Sequence, residues 1–475
     1  MKQTGRKWIA AATGCTLLLA LALTGCSADT TGSDASAAPV AEVAAADGTY
    51  LSADDITVNE TLESDADGEH VITADGEDAS YANIAVNKTG EADGDEADFY
   101  GENSAIFAAN GATLDLSEIL VSTDGTHANA VFSYGEGTTV NISDSVIETR
   151  GNCSGGLMTT GGSTMNAANL TIHTTGNSSA AIRSDRGGGT VNVTGGSYTT
   201  DGTGSPVIYS TADITVSDAR LKSTASQGVV VEGKNSVTLK NVDLTASNTT
   251  KNSDKSDWYQ AVMLYQSMSG DADAGTSAFT MEGGTLKNLN GDVFFVNNTV
   301  ATITLSGAEI VNEGGGVFLR AAAAGWGSEG SNGGQVTLNA ANQTIDGDML
   351  VDDVSNLNLY LTEGSAFTGS IDPDGAAGEV YVELTGGAKW TLTADSYITS
   401  LTCDADSIDL NGHTLYVNGE AYTAGTASTG AAIEVTVSEG GHGDMGEPPS
   451  GEMGEPPSGG KGGTPPSGGK PPEKP

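Results

Sequence analysis

Two acidic runs near the start of the chain carry enough carboxylates to hold a divalent cation. Asp65 and Asp67 belong to the first run, and Asp93 and Asp95 belong to the second. Oxygen ligands at this density are those that Ca²⁺ prefers. Neither run has the spacing of an EF-hand loop or of a glycine-rich calcium repeat. The runs therefore predict either a calcium site at these four aspartates or acidic loops that are solvated.

Three aromatic residues, Trp258, Tyr259 and Trp326, are candidates for ligand binding. They lie in two insertions that interrupt the repeat described below, and exposed rings on such loops suit stacking on sugar faces. The inserted segments 267–277 and 321–335 follow the same strand two turns apart. We therefore expect them at one corner, about 10 Å from each other. The alternative is that both tryptophans fold back over the edges of the strands.

Few residues suggest catalysis. A calcium-assisted polysaccharide lyase could use Arg183 or Arg186 as its base, although an Arg–Asp–Arg arrangement is typical of a structural ion pair. A hydrolase needs two carboxylates across a cleft, and Asp352 with Asp353 is the one such pair within the repeats. The sequence has no Gly-x-Ser-x-Gly motif, no phosphate-binding loop and no His/Cys spacing typical of a metal site. A binding function is therefore favoured over catalysis.

A short strand with two apolar residues on one face recurs along the chain and predicts the elements that position these residues. The first six strands start 23–26 residues apart. The apolar pairs are Leu114/Leu116, Val140/Ile142, Met165/Ala167, Val191/Val193, Ile214/Val216, Val237/Leu239, Phe279/Met281, Ile303/Leu305, Val336/Leu338, Leu357/Leu359, Val380/Val382 and Ile408/Leu410. A second strand follows each of the first eight, with a large residue at Val121, Ile147, Ile172, Tyr198, Leu221, Leu244, Leu286 and Ile310. A third follows, as at Val131-Phe132.

Three short strands per turn of this length predict an all-β, right-handed parallel β-helix of about 12 or more rungs. The 66 glycines, together with Asn, Asp and Ser, suit corners that need left-handed backbone. The register places Cys153 and Cys403 nine rungs, or about 43 Å, apart. A disulfide allows Cα separations of about 4.4–6.8 Å, so both thiols are expected to be free.

The two ends of the chain predict export and attachment to a membrane. Residues 1–25 combine a basic start with a short apolar stretch and end in Leu-Thr-Gly before Cys26, which looks like a bacterial lipobox. Cys26 would then carry the lipid. Residues 26–47 read as a flexible linker, and residues 438–475 as a disordered tail rich in Pro, Gly and Ser. The β-helix with its caps is expected over residues 48–437.

Residues 384–401 read Leu-Thr-Gly-Gly-Ala-Lys-Trp-Thr-Leu-Thr-Ala-Asp-Ser-Tyr-Ile-Thr-Ser-Leu. This stretch resembles the closing segment of pertactin-like autotransporter passengers, which are adhesin-type β-helices. The resemblance implies that residues 380–437 form an autochaperone-like closing region. It departs from that family because no membrane β-barrel sequence follows, and the Cys26 lipid would serve as the anchor instead.

The sequence as a whole predicts a lipid-anchored, surface-exposed binding protein, either adhesin-like or carbohydrate-binding. The net charge of -43 argues against a nucleic-acid partner, because a phosphate-binding surface needs excess cations. The expected partners are a polysaccharide or a molecule on a host or neighbouring cell surface. No cofactor is expected apart from the possible Ca²⁺. The alternatives are the lyase or hydrolase above, and a structural surface spacer without a ligand.

Overall fold

The predicted parallel β-helix is confirmed by the computed structural model, which describes residues 50–251 and 255–435. Each turn of the chain adds one strand to each of three parallel sheets. The helices that lie wholly within the described residues are a 3-10 turn, Ala53–Asp55, and an α-helix, Asp95–Tyr100. The predicted signal segment 1–25, the predicted lipidation site Cys26, the predicted linker 26–47 and the predicted tail 438–475 lie outside these residues.

Sheet 1 has thirteen parallel strands and carries the apolar pairs that the repeat predicts. Its strands are Ala79–Ala82, Thr113–Ser117, Thr139–Ser143, Ser163–Ala168, Gly189–Thr194, Asp213–Ser217, Ser236–Lys240, Thr276–Glu282, Thr299–Ser306, Gly334–Ala341, Asn356–Thr362, Glu379–Leu384 and Ser400–Cys403. Leu114 pairs with Val140, and the same register continues rung by rung as far as Ile303. The alternating pattern of buried and exposed positions along these strands explains the apolar-x-apolar repeat.

The predicted register is wrong at two later places. Ile303 pairs with Leu338 and not with Val336, and Ile408 lies beside Trp390 in the continuation of sheet 2. The first error is a slip of two residues, which leaves the same side chains facing the core. Alternation alone cannot detect such a slip, because the side-chain period of a strand is two.

Sheet 2 has ten parallel strands, and a four-stranded sheet continues it. The ten strands are Glu60–Ser64, Ile84–Lys88, Leu120–Thr123, Val146–Thr149, Thr171–Thr174, Ser197–Thr200, Arg220–Ser223, Asp243–Ala246, Thr285–Asn288 and Glu309–Asn312. The continuation contains Thr344–Asp346, Ala366–Thr368, Lys389–Thr391 and Ile408–Asp409. The predicted column from Val121 to Ile310 is confirmed, because each member pairs with the next in register.

Sheet 3 has eleven parallel strands, and its outer face carries the candidate site described below. The strands are Ile72–Asp75, Ile106–Ala109, Val131–Tyr134, Leu157–Thr160, Ile182–Ser184, Ile208–Ser210, Val229–Glu232, Gln260–Tyr265, Asp292–Asn297, Leu319–Ala321 and Met349–Val351. A final three-stranded sheet contains Ser396–Ile398, Leu415–Val417 and Glu420–Ala421. The inward residues of all three sheets form one continuous apolar core.

The corner between sheets 2 and 3 repeats a Thr-x-Gly-x-x-Ser pattern over several rungs. In one rung the Thr149 hydroxyl donates to the Ser154 carbonyl oxygen, and the Ser154 hydroxyl donates to the Gly125 carbonyl oxygen. A Cβ atom on Gly151 would lie 1.8 Å from that same Gly125 oxygen, so only glycine fits. The corner therefore satisfies buried backbone groups with short polar side chains.

The closing region ends the β-helix with a buried tryptophan and a change of strand direction. Trp390 is fully buried, stacks on Phe367 and donates from its indole nitrogen to the Gly369 carbonyl oxygen at 2.9 Å. The last pairing, Leu415–Val417 with Glu420–Ala421, is antiparallel. An antiparallel end interrupts the regular growth of parallel rungs, as a cap must.

Both cysteines within the described residues are free, as predicted: Cys153 is half-buried and Cys403 is buried. In the part of the chain that the structure describes, no helix is long and apolar enough to cross a membrane.

Candidate functional site

The outer face of sheet 3 is apolar, and loops cover it. The outward positions form one column in register: Phe107, Phe132, Met158, Arg183, Tyr209, Val230, Met263, Phe295, Arg320 and Leu350. An exposed apolar column of this length would be an aggregation surface. Two loop covers lie over it, and the candidate site lies where the second cover leaves a gap.

The first cover is the segment that contains the helix Asp95–Tyr100. It contacts the sheet at Gly101, where a Cβ atom would lie 2.8 Å from ring atoms of both Phe107 and Phe132. The Arg186 guanidinium lies over the Phe99 ring of this cover, 3.6 Å from its centroid. Glycine is required at position 101 because the backbone dihedral φ there is 83° and the two phenylalanine rings leave no room for a side chain.

The second cover consists of parts of the two predicted insertions, which touch at Lys255 and Gly325; the contact expected between segments 267–277 and 321–335 stays a prediction. The Gly325 N–H donates to the Lys255 carbonyl oxygen at 2.7 Å. Trp326 packs edge-on against Tyr265, with ring centroids 5.2 Å apart, and only 6% of Trp326 is exposed. Trp326 therefore folds back over the strands, the alternative stated above, and its ring is not presented for stacking on a sugar.

Trp258 is half-buried and borders a cavity of about 360 Å³. Its ring leans on Phe295 at 5.4 Å between centroids, and the Arg320 guanidinium lies over it at 4.8 Å. Arg320 is itself fixed, because its Nε donates to the buried carboxylate of Asp292 at 2.6 Å. The Trp258 pocket, as we call this cavity, is lined by Trp258, Arg320, Leu350, Asp352, Asp372 and Asp374, among others.

Asp372 is the chemically unusual residue of the Trp258 pocket. Only 5% of it is exposed; its Oδ1 accepts the Val351 N–H at 2.7 Å, and its Oδ2 has no hydrogen-bond partner. Burial, and then the negative charge of Asp352, raise the pKa of Asp372 to about 7. A buried, unpartnered carboxyl oxygen costs stability, so it marks a position where a ligand could supply the missing partner.

Asp352 lies nearby in a different environment. Its carboxylate accepts hydrogen bonds from the Ala323 N–H at 2.7 Å, the Ser355 hydroxyl at 2.6 Å and the Val354 N–H at 3.2 Å. The predicted pair was Asp352 with Asp353, but Asp353 is not among the residues that line the pocket. The structure instead places Asp352 beside Asp372, which lies in the next rung.

The other predicted site residues lie apart from this pocket. Tyr259 is half-buried and is not among the lining residues; its carbonyl oxygen accepts the Asp292 N–H at 2.8 Å. Asp65, Asp67, Asp93 and Asp95 are all exposed. Within residues 50–251 and 255–435, none of these four belongs to a cluster of three or more potential metal ligands.

The acidic residues make local contacts instead. Asp67 accepts the Glu91 N–H at 2.9 Å, Asp93 accepts the N–H of the following glycine, and Asp95 lies 3.3 Å from Arg186. These contacts join the acidic loops to nearby backbone and to Arg186, and the calcium site at the four aspartates stays a prediction.

Arg183 and Arg186, the bases of the lyase alternative, are both held in ion pairs. Arg183 contacts Asp185 at 2.6 Å, and Arg186 contacts Asp271 at 2.9 Å. Burial opposes the charge on each guanidinium, but the paired carboxylates outweigh it and raise the pKa of both arginines. Neither guanidinium can therefore lose a proton to serve as a base near neutral pH.

Arg320 and Asp372 belong to the pocket but were missed in the sequence. Each lies in a stretch without a recognisable motif, and they meet only because the β-helix stacks their rungs. The structure itself marks Asp372, because its backbone dihedral φ is 47°. A non-glycine residue in this conformation is uncommon and deserves inspection, but one sequence does not reveal it.

Comparison with protein-family models, with curated proteins and with solved structures finds no match to this chain. The parallel β-helix rests on the pairing of the strands themselves.

Proposed function

We propose that this protein is an exported, lipid-anchored surface protein that binds a neutral polysaccharide in the Trp258 pocket. The observation that carries the proposal is the free Oδ2 of Asp372 beside the half-buried ring of Trp258. Small-molecule sites typically combine apolar and aromatic walls with a few convergent polar groups. The pertactin-like closing segment and the Cys26 lipobox support a position on the cell surface.

The chemistry of the pocket fits a sugar ring. A sugar presents C–H groups on one face, which can pack on indole, and hydroxyl groups at its edge. A hydroxyl can donate to Asp372 Oδ2 and supply the hydrogen bond that this oxygen lacks. The Arg320 charge is already neutralised by Asp292, and the chain carries a net charge of -43. A polyanionic glycan would therefore be repelled, which favours a neutral one.

Affinity electrophoresis tests this function. The full chain would run through native gels cast separately with a neutral β-glucan, xylan, starch or acidic polygalacturonate. We expect retardation in a neutral gel and none in the acidic gel. Trp258→Ala should abolish the retardation, because the stacking surface is lost. Tyr360→Ala is the matched control, since it removes a half-buried ring on a different sheet.

Several outcomes contradict the proposal. Retardation that survives in Trp258→Ala would move the site elsewhere. Retardation in polygalacturonate alone would exclude a neutral ligand. No retardation in any gel would favour the surface-spacer alternative.

A second candidate function is hydrolysis of the bound glycan, favoured by the pairing of Asp352 with Asp372. Glycosidases use two carboxyl groups, one of which stays protonated near neutral pH as the general acid. The raised pKa of Asp372 suits that role, and three donors hold Asp352. Release of reducing ends that stops in Asp352→Asn would establish hydrolysis, whereas an unchanged polymer establishes binding alone.

A further inference from the structure

Two chemically active side chains occupy the same left-handed corner position in adjacent rungs. His127 follows Gly125 by two residues and Cys153 follows Gly151 by two residues, with backbone dihedrals φ of 56° and 55°. The corner of Cys153 has the Thr-x-Gly-x-x-Ser pattern, and that of His127 has Ala128 in place of the serine. The next two rungs have Ser178 and Gly204 at this position. The His127 N–H donates to the Asn152 carbonyl oxygen at 3.0 Å, so Cys153 follows directly in the neighbouring rung.

The corner can form without a histidine or a cysteine at this position. Left-handed backbone favours glycine and asparagine, and a histidine and a cysteine there are held at a cost in free energy. Strain that a fold tolerates at one place often serves a function there. The adjacent rungs show that small residues satisfy the corner, so His127 and Cys153 are not needed to form it.

A third ligand comes from the first cover. Asp98 belongs to the helix Asp95–Tyr100, and its Oδ1 lies 3.6 Å from His127 Nδ1. One donor atom from each of Asp98, His127 and Cys153 lies within 4.8 Å of the other two. Among the described residues, this is the one cluster of three or more His, Cys, Asp or Glu side chains with such spacing.

The histidine supplies an independent sign of a missing ligand. Only 5% of His127 is exposed, and its buried Nδ1 makes no hydrogen bond. The separation of 3.6 Å from Asp98 is too long for a hydrogen bond. It is close to the separation of about 3.4 Å that two ligands have when both bind one tetrahedral Zn²⁺.

We propose that Asp98, His127 and Cys153 bind a transition-metal ion, with Zn²⁺ as the best fit. Imidazole nitrogen and thiolate sulfur are ligands of zinc and its neighbours, whereas Ca²⁺ takes oxygen ligands. A side-chain movement of about 1 Å brings the most distant donors into the first coordination sphere. Three protein ligands leave a fourth position for water or another ligand.

Bound metal would also fasten the first cover to the β-helix. Asp98 lies in the cover, whereas His127 and Cys153 lie in corners of the rungs beneath it. An ion that joins all three therefore stabilises the folded arrangement by binding only to it. The site shares no residue with the Trp258 pocket, so the test of one proposal does not decide the other.

Cobalt substitution tests the site, because Co²⁺ bound to a thiolate in tetrahedral geometry has intense charge-transfer and d–d absorption. The full chain would be stripped with a chelator, reduced and titrated with Co²⁺. We expect one Co²⁺ per chain, both absorption features and their loss when Zn²⁺ is added. Cys153→Ser should remove the sulfur-to-cobalt band, and His127→Asn should weaken binding at least tenfold. Asparagine tolerates the left-handed backbone, so that variant keeps the corner.

Cys403→Ser is the matched control, and we expect it to bind Co²⁺ as the unchanged chain does. Far-UV circular dichroism of each variant would confirm that it folds. A band that persists in Cys153→Ser would show binding at another thiol and overturn the proposal. A featureless titration of the unchanged chain would overturn it as well. A second readout is thermal: Zn²⁺ should raise the melting temperature of the unchanged chain and leave that of Cys153→Ser unchanged.

Discussion

Asp372 combines a buried carboxyl, an unpartnered oxygen and a left-handed backbone in a single residue. The burial of the carboxyl and the lack of a partner for one oxygen both lower the stability of the fold. Proteins retain such combinations mainly where a functional group must be held ready. Asp372 is therefore the single residue that most strongly indicates a ligand in the Trp258 pocket.

Replacement of Asp372 by asparagine should stabilise the protein in a pH-dependent manner. The folded protein holds the Asp372 proton up to about pH 7, whereas an unfolded aspartate loses it near 3.8. Protonation of Asp372 therefore stabilises the folded state fully below about pH 4, and this stabilisation is lost as the pH rises to about 7. Asparagine has no such loss, so we expect Asp372→Asn to gain about 2–4 kcal/mol at pH 8 and little at pH 4.

Urea denaturation at the two pH values would measure this difference. Asp374→Asn is the control, because Asp374 is exposed and water solvates its carboxyl in both states. A gain for Asp372→Asn that is the same at pH 4 and pH 8 would contradict the expectation.

Cys153 and His127 show what the sequence could and could not predict at this scale. The absence of a disulfide followed correctly from the repeat register. The metal-ligand cluster did not, because the spacing of His127 and Cys153 equals one rung and matches no compact metal motif. Asp98 follows the second acidic run and belongs to no motif. Ligands that stacking brings together carry no local signature, so only the aligned rungs reveal them.

The corner between sheets 1 and 2 uses a left-handed residue in nearly every rung, and two of these residues are glutamates. Asn83, Glu118, Asp144, Asn169, Gly195, Asp218, Asn241, Gly283, Gly307, Asn342, Glu363 and Gly386 all have positive φ there. Asparagine, aspartate and glycine adopt this conformation readily, whereas glutamate does not. The corners were predicted from composition, but the glutamates were not recognised as members of the column.

Glu363→Asn should therefore stabilise the protein. Glu363 is exposed and its φ is 52°, so the substitution relieves backbone strain without removing packing. We expect a gain of about 0.5–1 kcal/mol in the free energy of unfolding. Thermal unfolding would measure it, with Glu329→Asn, an exposed loop position without positive φ, as the control. Equal effects of the two substitutions would show that charge and not backbone strain is responsible.

The strands of the three sheets were predicted well because their apolar alternation is strong and repeated. The errors came at Ile303 and Ile408, after an insertion and near the closing region, where the spacing between rungs changes. The helix Asp95–Tyr100 was not predicted at all. It is a short acidic segment, and its helical form depends on packing of the first cover against sheet 3, which no local pattern encodes.

At the scale of the whole molecule, the net charge of -43 opposes the compact state. Carboxylates outnumber cations by more than three to one, so most cannot find an ion-pair partner. Salt shortens the distance over which these charges repel one another, to about 10 Å at 0.1 M and about 3 Å at 1 M. We expect an increase from about 20 mM to about 500 mM NaCl to raise the melting temperature by several degrees.

Differential scanning calorimetry would measure the shift, and sucrose at matched osmolality would separate screening from general exclusion effects. A melting temperature that falls with salt would mean that ion pairs such as Arg183 with Asp185 outweigh the overall repulsion.

The Thr-x-Gly-x-x-Ser corner has a consequence for how such a chain can evolve. Each repetition meets its neighbours through the same glycine-on-carbonyl contact and the same serine bond, so one turn of the chain is interchangeable with the next. Duplication or deletion of one whole turn preserves every corner contact, whereas a shorter length change disrupts the register. Descendants of this gene are therefore expected to lengthen or shorten in steps of one turn, and the number of stacked turns can change without a change in the corner that joins them.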